Sequence, residues 1–220
     1  MRDAGVVDQA AASPDARGAT TREAPGWITF VFFASGFAAL IYQVVWQRSL
    51  FTIFGINTEA VTVVVTVFLL GLGIGSIVGG ILSRIVRHPL LFFALSEFGI
   101  AAFGLISLDL FRSVGMSTVR QSAAAIGLTT FLLLLAPTLL MGMTLPLLVG
   151  YLVRRSGNVG QSTSLLYFVN TAGSGIAALA SVVLLLPRLG ERGSVRVAAA
   201  TNLLVGATVL ALHLRRRYDS

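Results

Sequence analysis

Apolar positions in this chain do not alternate with polar ones. From Trp27 onward they form long runs, each close to the roughly 20 residues a helix needs to cross a bilayer. From Trp27 on, nearly all the charge stands in or at the edges of the short connectors and in the C-terminal tail. The pattern predicts an all-α, polytopic membrane bundle of about six spans, near 27–47, 59–82, 89–111, 123–152, 163–186 and 195–214. The connectors carry Arg48 and Glu59, then Arg84 and Arg87, then Asp109, Arg112 and Arg120. Arg154 and Arg155 follow, then Arg188, Glu191, Arg192 and Arg196, and finally Arg215, Arg216 and Arg217. Residues 1–25 are polar, small and of mixed charge and read as a disordered tail. The helical domain then covers 26–214, and 215–220 forms a short basic tail. No short apolar region with a small-residue cleavage site precedes Trp27, so the first run reads as an anchor that stays.

The fourth run departs from the others. As a straight helix, 123–152 would reach about 45 Å, more than the roughly 30 Å hydrocarbon core. It holds Pro137, Gly142 and Pro146 in "APTLLMGMTLPLL". Each proline removes a backbone hydrogen bond and presses on the carbonyl four residues earlier, which predicts a kinked or locally broken helix.

The glycines of "FLLGLGIGSIVGGILSR" admit two readings, a phosphate cradle or a helix-packing face. Gly71, Gly75 and Gly79 recur every four residues, which aligns them on one helix face. A dinucleotide fingerprint needs a strand before it, a helix after it and an acidic residue about 20 positions on. Here an apolar run continues straight through, so the stripe is predicted to let a second helix approach closely.

Few polar residues stand inside the runs. Glu97, in "LLFFALSEFGIAAFG", lies about 12 Å into the membrane by helical rise from Pro89. A charge at that depth costs roughly 2.5–3.5 kcal/mol on insertion scales, so the side chain must face protein or water, or stay protonated. It is either a proton or cation site or a neutral acid bonded to a neighbouring helix. In the first run Ser35, Tyr42 and Trp46 share a face, with Gln43 and Gln47 beside it. Trp46, Gln47 and Arg48 read as an interfacial anchor. Tyr42 and Gln43 lie deeper and are candidates for a polar cavity. In the fifth run Ser164, Tyr167, Thr171, Ser174 and Ser181 form a stripe flanked by Asn170. The stripe either lines a cavity or packs small residues against a neighbour. The candidate ligand-binding set is therefore Glu97, Tyr42, Gln43, Tyr167, Asn170 and Thr171.

Composition narrows the chemistry. Of 220 residues 55% are hydrophobic and 11% charged, where soluble domains run near a quarter charged. Without cysteine there is no disulfide framework and no thiolate nucleophile or ligand. His88 and His213 stand far apart in sequence beside arginines, at expected membrane surfaces, so no metal site is expected. No Ser–His–Asp arrangement or carboxylate pair appears, so no catalytic residue and no cofactor is assigned. The net charge of +7 does not indicate nucleic acid, because the basic residues, all arginines, sit in short clusters between apolar runs. That distribution suits loops meeting lipid headgroups. The arginine balance modestly favours both termini in the cytoplasm.

The second and fifth runs are alike, each with glycine and small residues, an apolar run and an arginine-bearing turn. This predicts a three-plus-three repeat of the kind that builds half of a major facilitator transporter. The segments "SGFAALIYQVVWQRSL", "GLGIGSIVGGILSRIVRHPLL", "PTLLMGMTLPLL" and "LLYFVNTAGSGIAAL" resemble, in order, the membrane domain of spermidine-synthase-like integral membrane proteins. The resemblance covers about residues 27–214. It implies a bundle in a bacterial-type inner membrane, serving a Rossmann-like aminopropyltransferase domain. Gln43 and Glu97 fit that family's polar positions in the first and third spans. The turn "GGILSRIVR" departs from it, with Arg84 where the family carries an acid, which puts a transporter-like charge switch in doubt. No segment here matches the catalytic domain, which would be supplied by a longer, split or separate protein. The reading is thus a membrane module that anchors or serves a separate aminopropyltransferase-type partner. The alternatives are a small transporter, a homodimer of six-helix halves for a polyamine or other small solute, and a structural subunit.

Overall fold

The computed structural model describes residues 25–54, 58–118 and 122–218. Residues 1–24 of the expected tail and Arg120 lie outside them. Among the described residues the regular structure is entirely helical. It comprises α1 (Gly26–Phe54), α2 (Thr58–Ile85), α3 (Pro89–Thr118), α4 (Ala123–Ser156) and α5 (Val159–Ala180), followed by a π-helical stretch (Ser181–Leu185) and α6 (Leu186–Tyr218). Five helical stretches are long and apolar enough to cross a membrane. The boundaries follow local chemistry. Pro89 opens α3, where its missing N–H is no loss. The Ser122 hydroxyl accepts from the Ala125 amide at the start of α4, and the Asn158 side chain caps α5 in the same way. Gly157, at φ 69°, closes α4 in the left-handed conformation that glycine adopts freely.

The fifth apolar stretch runs 57 residues, Val159–Arg215. A straight helix of that length would span about 85 Å. Gly190 interrupts it at φ 63°, ψ −173°, a conformation essentially reserved for glycine. Asn170 and Asn202, on opposite sides of this break, line one cavity, so the chain doubles back at Gly190.

Side-chain contacts fix the helix directions. Along α1 and α3, Ser35 meets Glu97, Tyr42 covers Gly104, Trp46 bonds Ser107 and Ile53 covers Gly115, so the two run parallel. α5 also runs parallel to α1, since Asn170 bonds the Phe32 carbonyl and Ser174 the Gly36 carbonyl. α6 runs antiparallel to α3: His88 packs on His213, Glu97 bonds Asn202, and Asp109 pairs with Arg192.

The glycine stripe faces α4. A Cβ on Gly71 would collide with the Thr138 side chain, and one on Gly79 would lie 2.7 Å from Met143. Between them the contacts are reciprocal. A Cβ on Gly75 would fall 2.2 Å from the Leu139 carbonyl oxygen, and one on Gly142 of α4 would fall 2.4 Å from the Leu72 carbonyl oxygen of α2. The α1–α5 pair repeats the device, with Gly173 against the Phe33 carbonyl (2.2 Å) and Gly36 against the Asn170 carbonyl (2.4 Å).

Two expectations change. Of the kink or break expected in α4, the break does not occur: it is one helix of 34 residues through Pro137 and Pro146. The close seat on α2 spans this segment, and threonine hydroxyls occupy nearby carbonyls, Thr138 on Leu134 and Leu135 and Thr144 on Met141. Trp46 is no interfacial anchor. It is fully buried, donates from Nε1 to Ser107 Oγ at 2.9 Å, and packs edge-on against Phe103 and Phe111. α1 continues past it to Phe54, which places the indole inside the bundle. The outside of the bundle is apolar, with Leu69, Ile77 and Ile81 on α2, Phe168 and Leu179 on α5 and Val183 in the π-helical stretch exposed. Apolar surface on this scale matches acyl chains better than water.

Candidate functional site

The polar centre of the bundle is built on Glu97. α3 carries it, fully buried, to the seam with α1 and α6. Ser35 Oγ donates to one carboxyl oxygen at 2.5 Å, and the Asn202 amide nitrogen donates to the other. Two donors at once satisfy a carboxyl group that is buried away from water. The carbonyl oxygen of Asn202 is buried and has no hydrogen-bond partner.

Ser35 and Asn202 form part of the wall of a cavity of about 310 Å³. All six helices contribute to it. α1 supplies Gln43, α5 supplies Tyr167, Asn170 and Ser174, α2 supplies Ser76, and α4 supplies Thr144. Phe32, Leu40, Phe68, Leu72 and Leu145 fill in between them, so the lining is amphipathic. The glycine contacts shape this space. Where Gly142 and Gly36 bring paired backbones together, the cavity lies directly beside them, and Gly142 itself forms part of its wall.

Of the candidate set, Gln43, Tyr167 and Asn170 lie on the cavity wall, and Glu97 stands behind it through Ser35 and Asn202. Tyr42 and Thr171 do not join them. The Tyr42 ring stacks on Trp46 with centroids 4.8 Å apart and occupies the space that Gly104 leaves open, its buried hydroxyl without a partner. Thr171 is exposed on the outer face of α5. One residue on from Asn170 turns it about 100° around the helix axis, away from α1. The fifth-span stripe therefore divides: Tyr167 and Ser174 face the cavity, Ser181 is buried and Ser164 is exposed.

Asn202 escaped sequence reasoning. Its only signal was an amide in the middle of the last apolar run, "AAATNLLVG". Ser76 and Thr144 escaped too, each a small hydroxyl among glycines or prolines.

The two ends of the bundle differ. Where α1, α3 and α5 begin, Arg84, Arg87, Arg154 and Arg215 are exposed, and no carboxylate of the described residues joins them. There Arg154 donates to the carbonyl oxygens of Ser83 and Val86, satisfying the end of α2. At the opposite end the arginines meet acids, Arg48 with Glu191 at 3.4 Å and Arg192 with Asp109. Among the described residues no three metal-ligating side chains come together.

Comparison with protein-family models, with curated proteins and with solved structures finds no match to this chain.

Proposed function

We propose that this chain is a six-crossing inner-membrane module that binds a small solute in its central cavity, in the manner of half a transporter. The observation that carries the reading is the cavity beside Glu97, where polar side chains from several helices converge inside a bundle with an apolar exterior. Ionisable side chains inside a membrane bundle face its interior or a water-filled cavity and mark solute or ion paths. Six crossings are supported by the reversal at Gly190 and by the alternation of direction, with α1, α3 and α5 parallel and α6 opposed to α3. Cytoplasmic termini are supported by the arginine rim at the end where α1 begins, Arg84, Arg87, Arg154 and Arg215, which no carboxylate of the described residues joins.

The three-plus-three repeat is supported by the glycine contacts. The pair Gly75–Leu139 with Gly142–Leu72 joins the second helix to the fourth, and the pair Gly173–Phe33 with Gly36–Asn170 joins the fifth to the first. Exchanging the two halves exchanges these pairs, spacing for spacing, and leaves the third and sixth helices paired with each other. Three crossings per half invert one half relative to the other, the arrangement in which a solute site falls at the interface of the repeats.

The arginine rim favours a second role alongside the first. It offers a surface for an acidic partner, and the resemblance to spermidine-synthase-like membrane domains supplies a candidate, an aminopropyltransferase-type protein or domain that this module anchors. Pull-down of such a soluble enzyme, lost on reversing Arg84 and Arg87 to glutamate, tests that role.

Solute binding is tested by thermal unfolding of the protein in nanodiscs against a panel of small cations, zwitterions, anions and neutral solutes. A ligand at 100 times its Kd stabilises the folded state by about 2.7 kcal/mol. At least one class is expected to raise Tm saturably, with the rise lost when Leu145→Trp fills the cavity. If no class does so, the reading fails.

A further inference from the structure

Building on the reading of the cavity as a solute site, we infer that its ligand is a small monocation, a primary ammonium on an apolar body. Five polar side chains of the wall turn a donor away from the space they enclose. Ser35 and Asn202 donate to Glu97. Asn170 donates to the Phe32 carbonyl at 3.3 Å, Ser174 to the Gly36 carbonyl at 3.0 Å, and Thr144 to the Met141 carbonyl at 2.7 Å. The three hydroxyls have given up their single donor and keep oxygen lone pairs, while each amide keeps, beside its second N–H, an oxygen that only accepts.

The Asn202 carbonyl oxygen is the clearest case. The residue is 1% exposed, lies on the cavity wall, and its oxygen has no partner. A buried acceptor without a donor is unfavourable, and a ligand N–H arriving from the cavity relieves it. An anion brings no donor to this oxygen. Charge sets the valence. Glu97 is the only carboxylate that the described residues place at this depth, so one positive charge is balanced and a second is not. The remaining wall, with Phe32, Leu40, Phe68 and Leu72, accommodates a hydrocarbon or aryl body. At about 310 Å³ the space is at the small end of ligand pockets.

The test is equilibrium binding of tritiated 2-phenylethylamine to the full chain in nanodiscs, with empty discs subtracted. Competitors are 2-phenylethanol, phenylacetate and 1,4-diaminobutane. Saturable binding is expected, with each competitor at least tenfold weaker than unlabelled 2-phenylethylamine. Asn202→Leu is expected to weaken binding at least tenfold, and Thr171→Val, on the outer face, to leave it unchanged. Should Asn202→Leu not fold, Leu145→Trp is expected to abolish binding. Competition by the alcohol, the acid or the diamine as strong as by the amine itself overturns the inference and leaves the solute site standing. Binding that survives Asn202→Leu and Leu145→Trp also overturns it, since the amine then sits elsewhere. If the amine does not bind saturably while another class stabilises the protein in the thermal screen, the inference alone fails. If neither occurs, the solute site fails with it.

Discussion

Asn202 donates its amide N–H to the carboxyl group of Glu97, although 105 residues separate them in sequence. Neither side chain is intelligible without the other. An acid in the third helix needs donors that lipid cannot give, and an amide in the sixth needs an acceptor. Ser35 completes the arrangement from the first helix. Three helices are thus tied at one level by polar contacts, and the cavity opens beside the tie.

Removing the acid therefore leaves two buried donors without acceptors. Glu97→Ala is expected to lower the stability of the folded bundle by about 1–2 kcal/mol, the upper range for interhelical hydrogen bonds in membranes. Glu97→Gln, which keeps one acceptor oxygen, is expected to cost less. Unfolding of the protein in mixed micelles by a denaturing detergent measures both. A larger loss for glutamine than for alanine would contradict the arrangement.

The glycine contacts make a sharper comparison within one helix. Gly75→Ala places a methyl group 2.2 Å from the Leu139 carbonyl oxygen, whereas a Cβ on Gly73 meets nothing within 4 Å. The first substitution is expected to destabilise by about 1–3 kcal/mol through overpacking. The second should be neutral or stabilising by up to about 1 kcal/mol, as alanine restricts the unfolded chain. Gly173→Ala and Gly175→Ala are expected to repeat the contrast in α5. Equal effects within either pair would rule out close packing on one face.

Trp46 distinguishes a core residue from an anchor. Buried among Tyr42, Phe103 and Phe111, it is expected to lose about 3–5 kcal/mol on replacement by alanine. Trp46→Phe keeps most of the packing and loses the bond to Ser107, a smaller cost of about 1 kcal/mol. Indole fluorescence supplies a second readout. In a Trp27→Phe background, Trp46 emission should resist quenching by aqueous acrylamide.

At the reversal of the chain, Gly190→Ala forces a side chain into backbone angles that suit glycine alone. The expected cost is about 1–3 kcal/mol. By contrast Asp109→Asn, which removes an exposed ion pair with Arg192, should change stability by at most about 1 kcal/mol. Thermal unfolding of the two variants side by side checks the ordering.

Much of the architecture was legible in the chain because lipid imposes a simple rule. Apolar runs of spanning length must be helices, and the glycines spaced by four had to lie on one face. Polar partners were legible only in part. Glu97 stands out as an acid among apolar residues, yet nothing local names Ser35 and Asn202 as its donors, since that depends on which helices meet. Trp46 misled because "WQR" has the composition of an interface, while α1 runs two further turns beyond it. Thr171 misled because a stripe drawn on one helix cannot tell which edge meets a neighbour. The prolines do not break α4, because breakage depends on packing, and α2 seats against α4 across that segment.

The central claim is that water and small solutes reach a cavity inside the apolar bundle. The natural absence of cysteine allows a direct measurement, since a single introduced thiol is the only one present. Ser174→Cys places it on the cavity wall and Leu179→Cys on the outer face of the same helix, more than one turn away. Both variants, in nanodiscs open to solvent on each side, are treated with a charged, water-soluble thiol reagent. Labelling of Ser174→Cys at least tenfold faster than Leu179→Cys is the expected result. Two thiols equally unreactive, or a faster reaction at Leu179→Cys, would contradict the claim.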